Sequence, residues 1–216
     1  MPITIIIIGF CAYIAWRLSQ LRKMESADND KFWRREQDAN FTPKRDISNL
    51  SYITIPLDKF PSDYNDKEEE NLKKELEELK EKRILNLDNM SNTDLKENFG
   101  FANLNIMEEI GENYVKMCKL IVELAKKRLE YNDYEGASRY LEFGVGTKSD
   151  LSAMYTLLGE CYANLGKENK ISDLITLVKA MHLPLEKSII DSLTSHLPNL
   201  EMDIQTEADT PDTSDV

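Results

Sequence analysis

Apolar residues recur at helical spacing through the C-terminal half of the chain. Between residues 104 and 131 they follow one another at intervals of about three and four, which predicts one long helix. Residues 118–151 and 152–185 align column by column, so that Ile121 meets Tyr155 and Leu124 meets Leu158. A period of about 34 residues is typical of stacked helix–turn–helix units. The pattern therefore predicts a mainly α fold built from antiparallel helix pairs.

The second of these units resembles the tetratricopeptide repeat family at Tyr155, Leu158, Gly159, Tyr162 and Gly166. The first unit matches less well, because Arg128 stands where a tyrosine is usual. The resemblance covers residues 118–185, with an unrelated helical bundle as the alternative. It implies that the two helices of a unit approach closely at small residues. It also implies a repeat core at Leu124, Ala125, Ala137, Leu141, Tyr155, Leu158, Gly159 and Tyr162.

The resemblance also implies a binding surface. Arrays of this family bind extended peptides or partner helices on the concave face formed by the first helix of each unit. The residues expected to line that face here are Lys119, Glu123, Lys126, Lys127, Thr156, Glu160 and Asn164. Ordinary solvent-exposed polarity is the alternative interpretation of these side chains.

Further helices are predicted on both sides of the repeat. Leucines and isoleucines at spacing four over residues 185–197 predict a helix that caps the last unit. Residues 66–87 predict a charged helix with a narrow stripe at Leu72, Leu76 and Leu79. That stripe is expected to pack against the first half of the 104–131 helix, with a self-associating coiled coil as the alternative. The helical domain is thus placed at residues 63–198, before a disordered acidic tail at 199–216.

The first residues of the chain are apolar. Residues 2–16 contain no charged side chain, and Arg17, Arg22 and Lys23 follow them. This arrangement predicts an uncleaved single-span anchor over residues 1–22, although an apolar run this short is roughly 24 Å long in a hydrocarbon core of about 30 Å. Basic residues on the C-terminal flank predict an outside N-terminus and a cytoplasmic C-terminal domain at the cell membrane.

Residues 23–62 are expected to form a juxtamembrane linker followed by an extended strap. The linker mixes aromatic with basic and acidic residues, so it is either a contact with anionic lipid or a solvated connection. Residues 50–57 are rich in β-branched side chains but have no second strand to pair with, so we expect them to lie across the helical body. Residues 47–56, just after the basic segment, loosely resemble a stretch of single-span proteins of anaerobic Gram-positive bacteria, and this resemblance implies no function.

The net charge and the residues available for catalysis or metal binding exclude several classes of function. The net charge of −12 disfavours contact with nucleic acid, which requires a basic patch. Three cysteines and two histidines have neither zinc-site nor disulfide spacing. No catalytic motif or nucleotide-binding loop occurs. We therefore expect no enzyme activity, no catalytic residue, no metal and no cofactor.

Together these patterns predict a membrane-anchored helical-repeat scaffold that binds protein partners at the cytosolic membrane face. The alternative is a self-associating structural component of the cell envelope or division machinery, which would form homo-oligomers through residues 72–87.

Overall fold

A computed structural model describes residues 2–63 and 65–197, with only the backbone described for residues 2–6, 9, 12 and 21–27. This part of the chain is helical and contains no strand, which confirms the mainly α class. The predicted tail at 199–216 lies outside the described residues. The helices are α1 Pro2–Asn40, α2 Lys67–Lys80, α3 Asn92–Phe99, α4 Leu104–Glu130, α5 Tyr134–Gly146, α6 Ser152–Asn164, α7 Glu168–Met181 and α8 Glu186–Thr194.

The chain divides into two compact units. The first contains Met1–Leu50 and Asn89–Glu108, and the second contains Ser51–Asp88 and Glu109–Val216. Residues 51–62, predicted to be linker and strap, thus belong to the second unit together with the repeat.

Polar contacts join α1 to α3 in the first unit. Arg35 Nη2 lies 2.5 Å from Asp94 Oδ1 and 2.6 Å from Glu97 Oε2. Glu36 accepts a hydrogen bond from Thr93 Oγ1 at 2.6 Å and forms an ion pair with Lys96. Helix α3 can begin here because a capping box at its N-terminus satisfies its first backbone N–H groups.

The predicted membrane span falls on α1. Among the residues that the structure describes, no helix is both long enough and apolar enough to cross a bilayer. The apolar run at the start of α1, about 16 residues, is roughly 24 Å long at 1.5 Å per residue, and polar and charged residues follow it in the same helix.

Helix α2 ends at Lys80, so the predicted helix over 66–87 is wrong for its last seven residues. The backbone of the segment that follows bonds with other parts of the chain instead of continuing the helical ladder. Ile53 N donates to Ile84 O at 2.8 Å, and Asn113 Nδ2 donates to Arg83 O at 3.2 Å. Ile84 lies in the core with no exposed surface. The bond from Ile53 attaches the predicted strap, residues 50–57, to this segment, and Ile55 of the strap is also buried.

Helix α2 packs antiparallel to α4. Glu68 lies 2.6 Å from Lys127, whereas Glu75 lies 3.0 Å from Lys116, so the two helices run in opposite directions. The expected contact with the first half of α4 is therefore made only by the C-terminal part of α2, and the N-terminal part of α2 lies beside the second half. It is the non-helical Leu87 that packs beside Gly111. Leu76 and Leu79 are buried in this packing, which occupies the stripe that the sequence offered for self-association.

The backbone repeats itself through α4 to α7. Left-handed residues occur at Asn132 and Gly166, and again at Lys148 and His182; in each pair the second number exceeds the first by 34. Equivalent bonds close the two helix ends, from Asp133 N to Arg128 O at 2.9 Å and from Lys167 N to Tyr162 O at 2.8 Å. Such bonds satisfy carbonyl groups that a helix end leaves without partners.

The residues predicted as the repeat core are all buried, namely Leu124, Ala125, Ala137, Leu141, Tyr155, Leu158, Gly159 and Tyr162. One detail differs from the expectation. A side chain added at Gly159 would clash with Leu193 of α8. The small residue therefore allows α8 to pack closely on α6, whereas the expectation was a close approach of α7, the second helix of the same unit. Leu185, predicted to begin that cap, is 69% exposed and has a left-handed backbone, and α8 begins after it.

Candidate functional site

The residues predicted to form the concave binding face lie on α4 and α6. Lys119, Glu123 and Lys126 are exposed on one side of α4. Lys127 is engaged within the chain, because it lies 2.6 Å from Glu68 and 3.1 Å from Glu130.

On α6 the predicted residues are more enclosed. Thr156 and Glu160 are half-buried, while Asn164 is exposed and donates to the backbone oxygen of Glu160 at 2.9 Å. Within the described ranges, no hydrogen bond or ion pair joins this set to the α4 set. The structure therefore does not connect the two sets through polar contacts.

An open groove lies instead among α5, α6 and α7, with a volume of about 400 Å³. We call it the apolar groove. Its floor is formed by Val145, Leu158, Tyr162, Leu174 and Leu177. Leu177 is 38% exposed there, although it is a large apolar residue. A groove of this size accommodates a few apolar side chains of a ligand.

Charged side chains at the rim of the apolar groove bind one another. Tyr162 Oη donates to Glu142 Oε1 at 2.8 Å, and Lys170 Nζ donates to the same oxygen at 2.7 Å. Burial raises the pKa of Glu142, but the bonds from Lys170 and Tyr162 outweigh it and the net shift is downward. Glu142 is therefore ionised at neutral pH and pairs with Lys170 at the rim of the groove.

The sequence did not predict the apolar groove, because the resemblance to the repeat family indicated partner binding on the first helix of each unit. The alignment of residues 118–151 with 152–185 does contain a sign of the groove, since Phe143 of the first unit aligns with Leu177 of the second. A large apolar residue recurs at this position in the second helices, yet Leu177 has no neighbour that fully buries it.

A second concavity, which we call the polar recess, lies beside the N-terminus of α5 and has a volume of about 420 Å³. Arg128, with a side chain only 2% exposed, forms one wall. Its guanidinium donates to Asp133 Oδ2 at 3.0 Å and to Asp63 Oδ1 at 3.4 Å, and it bonds Glu69 and the Asp63 backbone oxygen as well. Burial lowers the pKa of Arg128, but the three carboxylates outweigh this and raise it. From the sequence, Arg128 was notable only because it stands where the tetratricopeptide pattern usually has a tyrosine.

The two buried thiols belong to the packed core. Burial raises the pKa of Cys118 to about 11 and that of Cys161 to about 12. Both are therefore protonated at neutral pH, and the thiol form is a poor nucleophile.

Comparison with known proteins identifies no relative: no protein-family model, no curated protein and no solved structure matches the chain. The function is therefore inferred from the residues and geometry described above.

Proposed function

We propose that the second unit is a tetratricopeptide-like scaffold that binds a protein partner in the apolar groove, and that the N-terminal part of α1 holds it at a membrane. The observation that carries the binding proposal is the open apolar groove, in which Leu177 is 38% exposed beside the nearly buried Leu158 and Leu174. Interface centres are likewise apolar and surrounded by a polar rim.

The recurrence of the backbone supports the repeat interpretation. Helices α4 and α6 end at Glu130 and Asn164, and α5 and α7 begin at Tyr134 and Glu168. Both pairs are offset by 34, as are the left-handed residues between them. Units of this kind present continuous surfaces because each packs on the next.

An amphipathic helix is the partner segment that best suits the apolar groove. Its apolar residues at spacings of three and four would contact the leucines of the floor, and its polar face would remain in water. The paired Glu142 and Lys170 at the rim leave no strong local charge of one sign, so apolar contact would supply most of the affinity.

Site-specific photo-crosslinking in the native cell tests this site. Gly146 lines the apolar groove, and a side chain added there meets open space, so a photoreactive residue at Gly146 should not disturb packing. We expect it to form a discrete protein adduct that Leu177→Asp abolishes. Glu112→Gln, at an exposed position on α4, is the charge-altering control.

A photoreactive residue at Lys119 provides the comparison with the concave face. Adducts from Lys119 but not from Gly146 would contradict binding in the apolar groove and favour the face expected from the sequence. Absence of adducts at both positions would contradict the scaffold proposal itself.

Exposed apolar side chains on α1 support the membrane proposal. Ile8 and Phe10 are 68% and 62% exposed, and Trp16 is 56% exposed beside Arg17. Aromatic and basic residues in this order are typical of a membrane interface. Basic residues after the apolar segment favour the cytosolic side for the remainder of the protein.

Flotation of the full chain with lipid vesicles tests the tether. We expect the wild-type chain to float and Ile8→Asp/Phe10→Asp to remain with the soluble fraction. Unchanged flotation of the double variant would contradict a tether at these residues. Protease cleavage of the C-terminal domain in intact cells would contradict the cytosolic orientation.

A further inference from the structure

The part of the chain that the structure describes ends at Leu197, close to the apolar groove. Helix α8 packs on α6, and a side-chain carbon built at Gly159 of α6 would lie 3.8 Å from Cδ2 of His196. Leu158, the residue before Gly159, lines the groove. An α-helix with its side chains is about 10–12 Å across, so the residues after Leu197 start within about one helix diameter of the groove.

Residues 198–204, which we call the tail segment, are long enough to reach the apolar groove. An extended chain spans at most about 3.3–3.6 Å per residue, so this segment covers up to about 23 Å, roughly twice the width of a helix. Pro198 stands at its start, and proline disfavours the continuation of a helix. The tail segment thus has the length that is needed to turn from α8 toward the groove.

Apolar and acidic residues alternate within the tail segment. Leu200, Met202 and Ile204 are each separated from the next by one acidic residue. Side chains of an extended chain point alternately to opposite sides, so the three apolar side chains would share one side and the carboxylates the other. Residues 205–215 contain no Leu, Ile, Met, Val or aromatic residue. The large apolar side chains are thus concentrated at the distance from α8 at which the groove lies.

The charges of the apolar groove are compatible with an acidic segment. Its lining carries two lysines and two carboxylates, namely Lys148, Lys170, Glu142 and Asp173. Lys148 is exposed and forms no ion pair within residues 2–63 and 65–197, whereas Lys170 is paired with Glu142. A carboxylate that follows the apolar side chains along the rim would therefore supply a partner for Lys148.

We propose that the tail segment occupies the apolar groove of its own chain, with its three apolar side chains against the leucines of the floor, and thereby competes with the partner. A short flexible connection gives the segment an effective concentration in the millimolar range. Binding with a dissociation constant of about 1 mM would then fill the groove about half of the time. The competition rests on the proposed partner binding, whereas the docking of the tail segment does not.

Photo-crosslinking within the purified full chain tests the docking. Gly146 lines the apolar groove, and a side chain there meets open space. Illumination of dilute protein with a photoreactive residue at Gly146 should join this position to the tail segment, as located by tandem mass spectrometry. The same photoreactive residue at Lys119, exposed on α4, is the matched control and should not capture the segment.

A mixture of isotopically labelled and unlabelled chains distinguishes a bond within one chain from a bond between two copies. We expect bonds within single chains, at a yield that does not depend on protein concentration. Bonds chiefly between labelled and unlabelled chains would show docking of a second copy and overturn the proposal. Absence of any bond from Gly146 to the tail segment would overturn it as well.

Leu200→Asp/Ile204→Asp is the decisive variant of the tail segment. Each apolar side chain that is buried contributes about tenfold or more to affinity, so the yield of the bond at Gly146 should fall at least about fivefold. Gln205→Asp/Thr206→Asp adds the same two charges without loss of an apolar side chain, and it should leave the yield unchanged. Equal losses in both variants would show a response to charge alone and would overturn apolar docking.

The same two variants tested in the native cell examine the competition. If the tail segment fills the groove about half of the time, Leu200→Asp/Ile204→Asp should raise the adduct between Gly146 and a partner about twofold, and Gln205→Asp/Thr206→Asp should not. An unchanged partner adduct would overturn the competition. A bond to the tail segment without a partner adduct in any variant would support the docking and contradict partner binding, so the two failures are distinguishable.

Discussion

The first unit has few buried apolar side chains in its described part, at Ala39, Ile47, Leu95 and Met107, whereas the second has a continuous apolar cluster from Ile55 to Leu197. In the first unit, α1 and α3 meet through ion pairs, of which those of Arg35 with Asp94 and Glu97 are exposed and that of Glu36 with Lys96 is largely buried. In the second, the helices meet through buried leucines, isoleucines and tyrosines.

This contrast separates two ways of stabilising a helical body. Exposed ion pairs contribute little net free energy, and salt screens them. Buried apolar area contributes most of the stability of a typical domain. We therefore expect the first unit to open locally at lower free energy than the second. The second unit supplies the rigid surroundings that the proposed binding groove requires.

The largest effect is expected from Arg128→Met, which breaks the buried ion pair with Glu69. Loss of one partner leaves an uncompensated buried carboxylate, and we expect about 3–5 kcal/mol of destabilisation. Urea denaturation followed by circular dichroism measures it. The double variant Arg128→Met/Glu69→Met should lose less stability than Arg128→Met alone, because neither charge of the buried pair remains. A double variant as unstable as the sum of the two single variants would show that the charges are not coupled.

Leu158→Ala should rank next, because Leu158 is 1% exposed in the core of the second unit. The lost contacts and the remaining cavity should cost about 3 kcal/mol in free energy of unfolding. Leu177→Ala is the matched control, since Leu177 is 38% exposed, and it should cost less than about 1 kcal/mol. Similar losses from both variants would mean that the apolar groove is closed in solution.

Arg35→Ala is expected to have a smaller and local effect in the first unit. Hydrogen exchange of the backbone amides in α3 should accelerate by no more than about fivefold, the scale of an exposed ion pair. Lys31→Ala is the control, because it removes a cation from the same helix without a bond to α3. Acceleration that extends into α5–α7 would contradict separate stabilisation of the two units.

The stability of the first unit should depend on pH only modestly, and only at acidic pH. Bonds from Ser91 and Arg35 lower the pKa of Asp94 to about 2, and Arg35 lowers that of Glu97. Because the folded pKa values lie below those of the unfolded chain, the contribution is complete above about pH 4.5 and disappears as pH falls toward 2. Amide exchange of α3 measured across this range should show the loss, and Arg35→Ala should reduce it.

The sequence predicted the helices best where apolar periodicity was long. The predicted 104–131 helix corresponds to α4 at Leu104–Glu130, and the period of about 34 residues placed the turns at Asn132 and Gly166. It did not predict that α2 ends at Lys80, because the competing bonds of residues 83 and 84 come from partners distant in the chain. The polar recess was missed for the same reason: Glu69, Asp63 and Arg128 meet only after folding.

The most direct test of the proposed division between a membrane-tethering first unit and a partner-binding second unit is hydrogen exchange of the full chain with and without anionic lipid vesicles. We expect vesicles to slow exchange in residues 2–16 and to leave α5, α6 and α7 unchanged. Unchanged exchange in residues 2–16, or protection concentrated around the apolar groove, would contradict it.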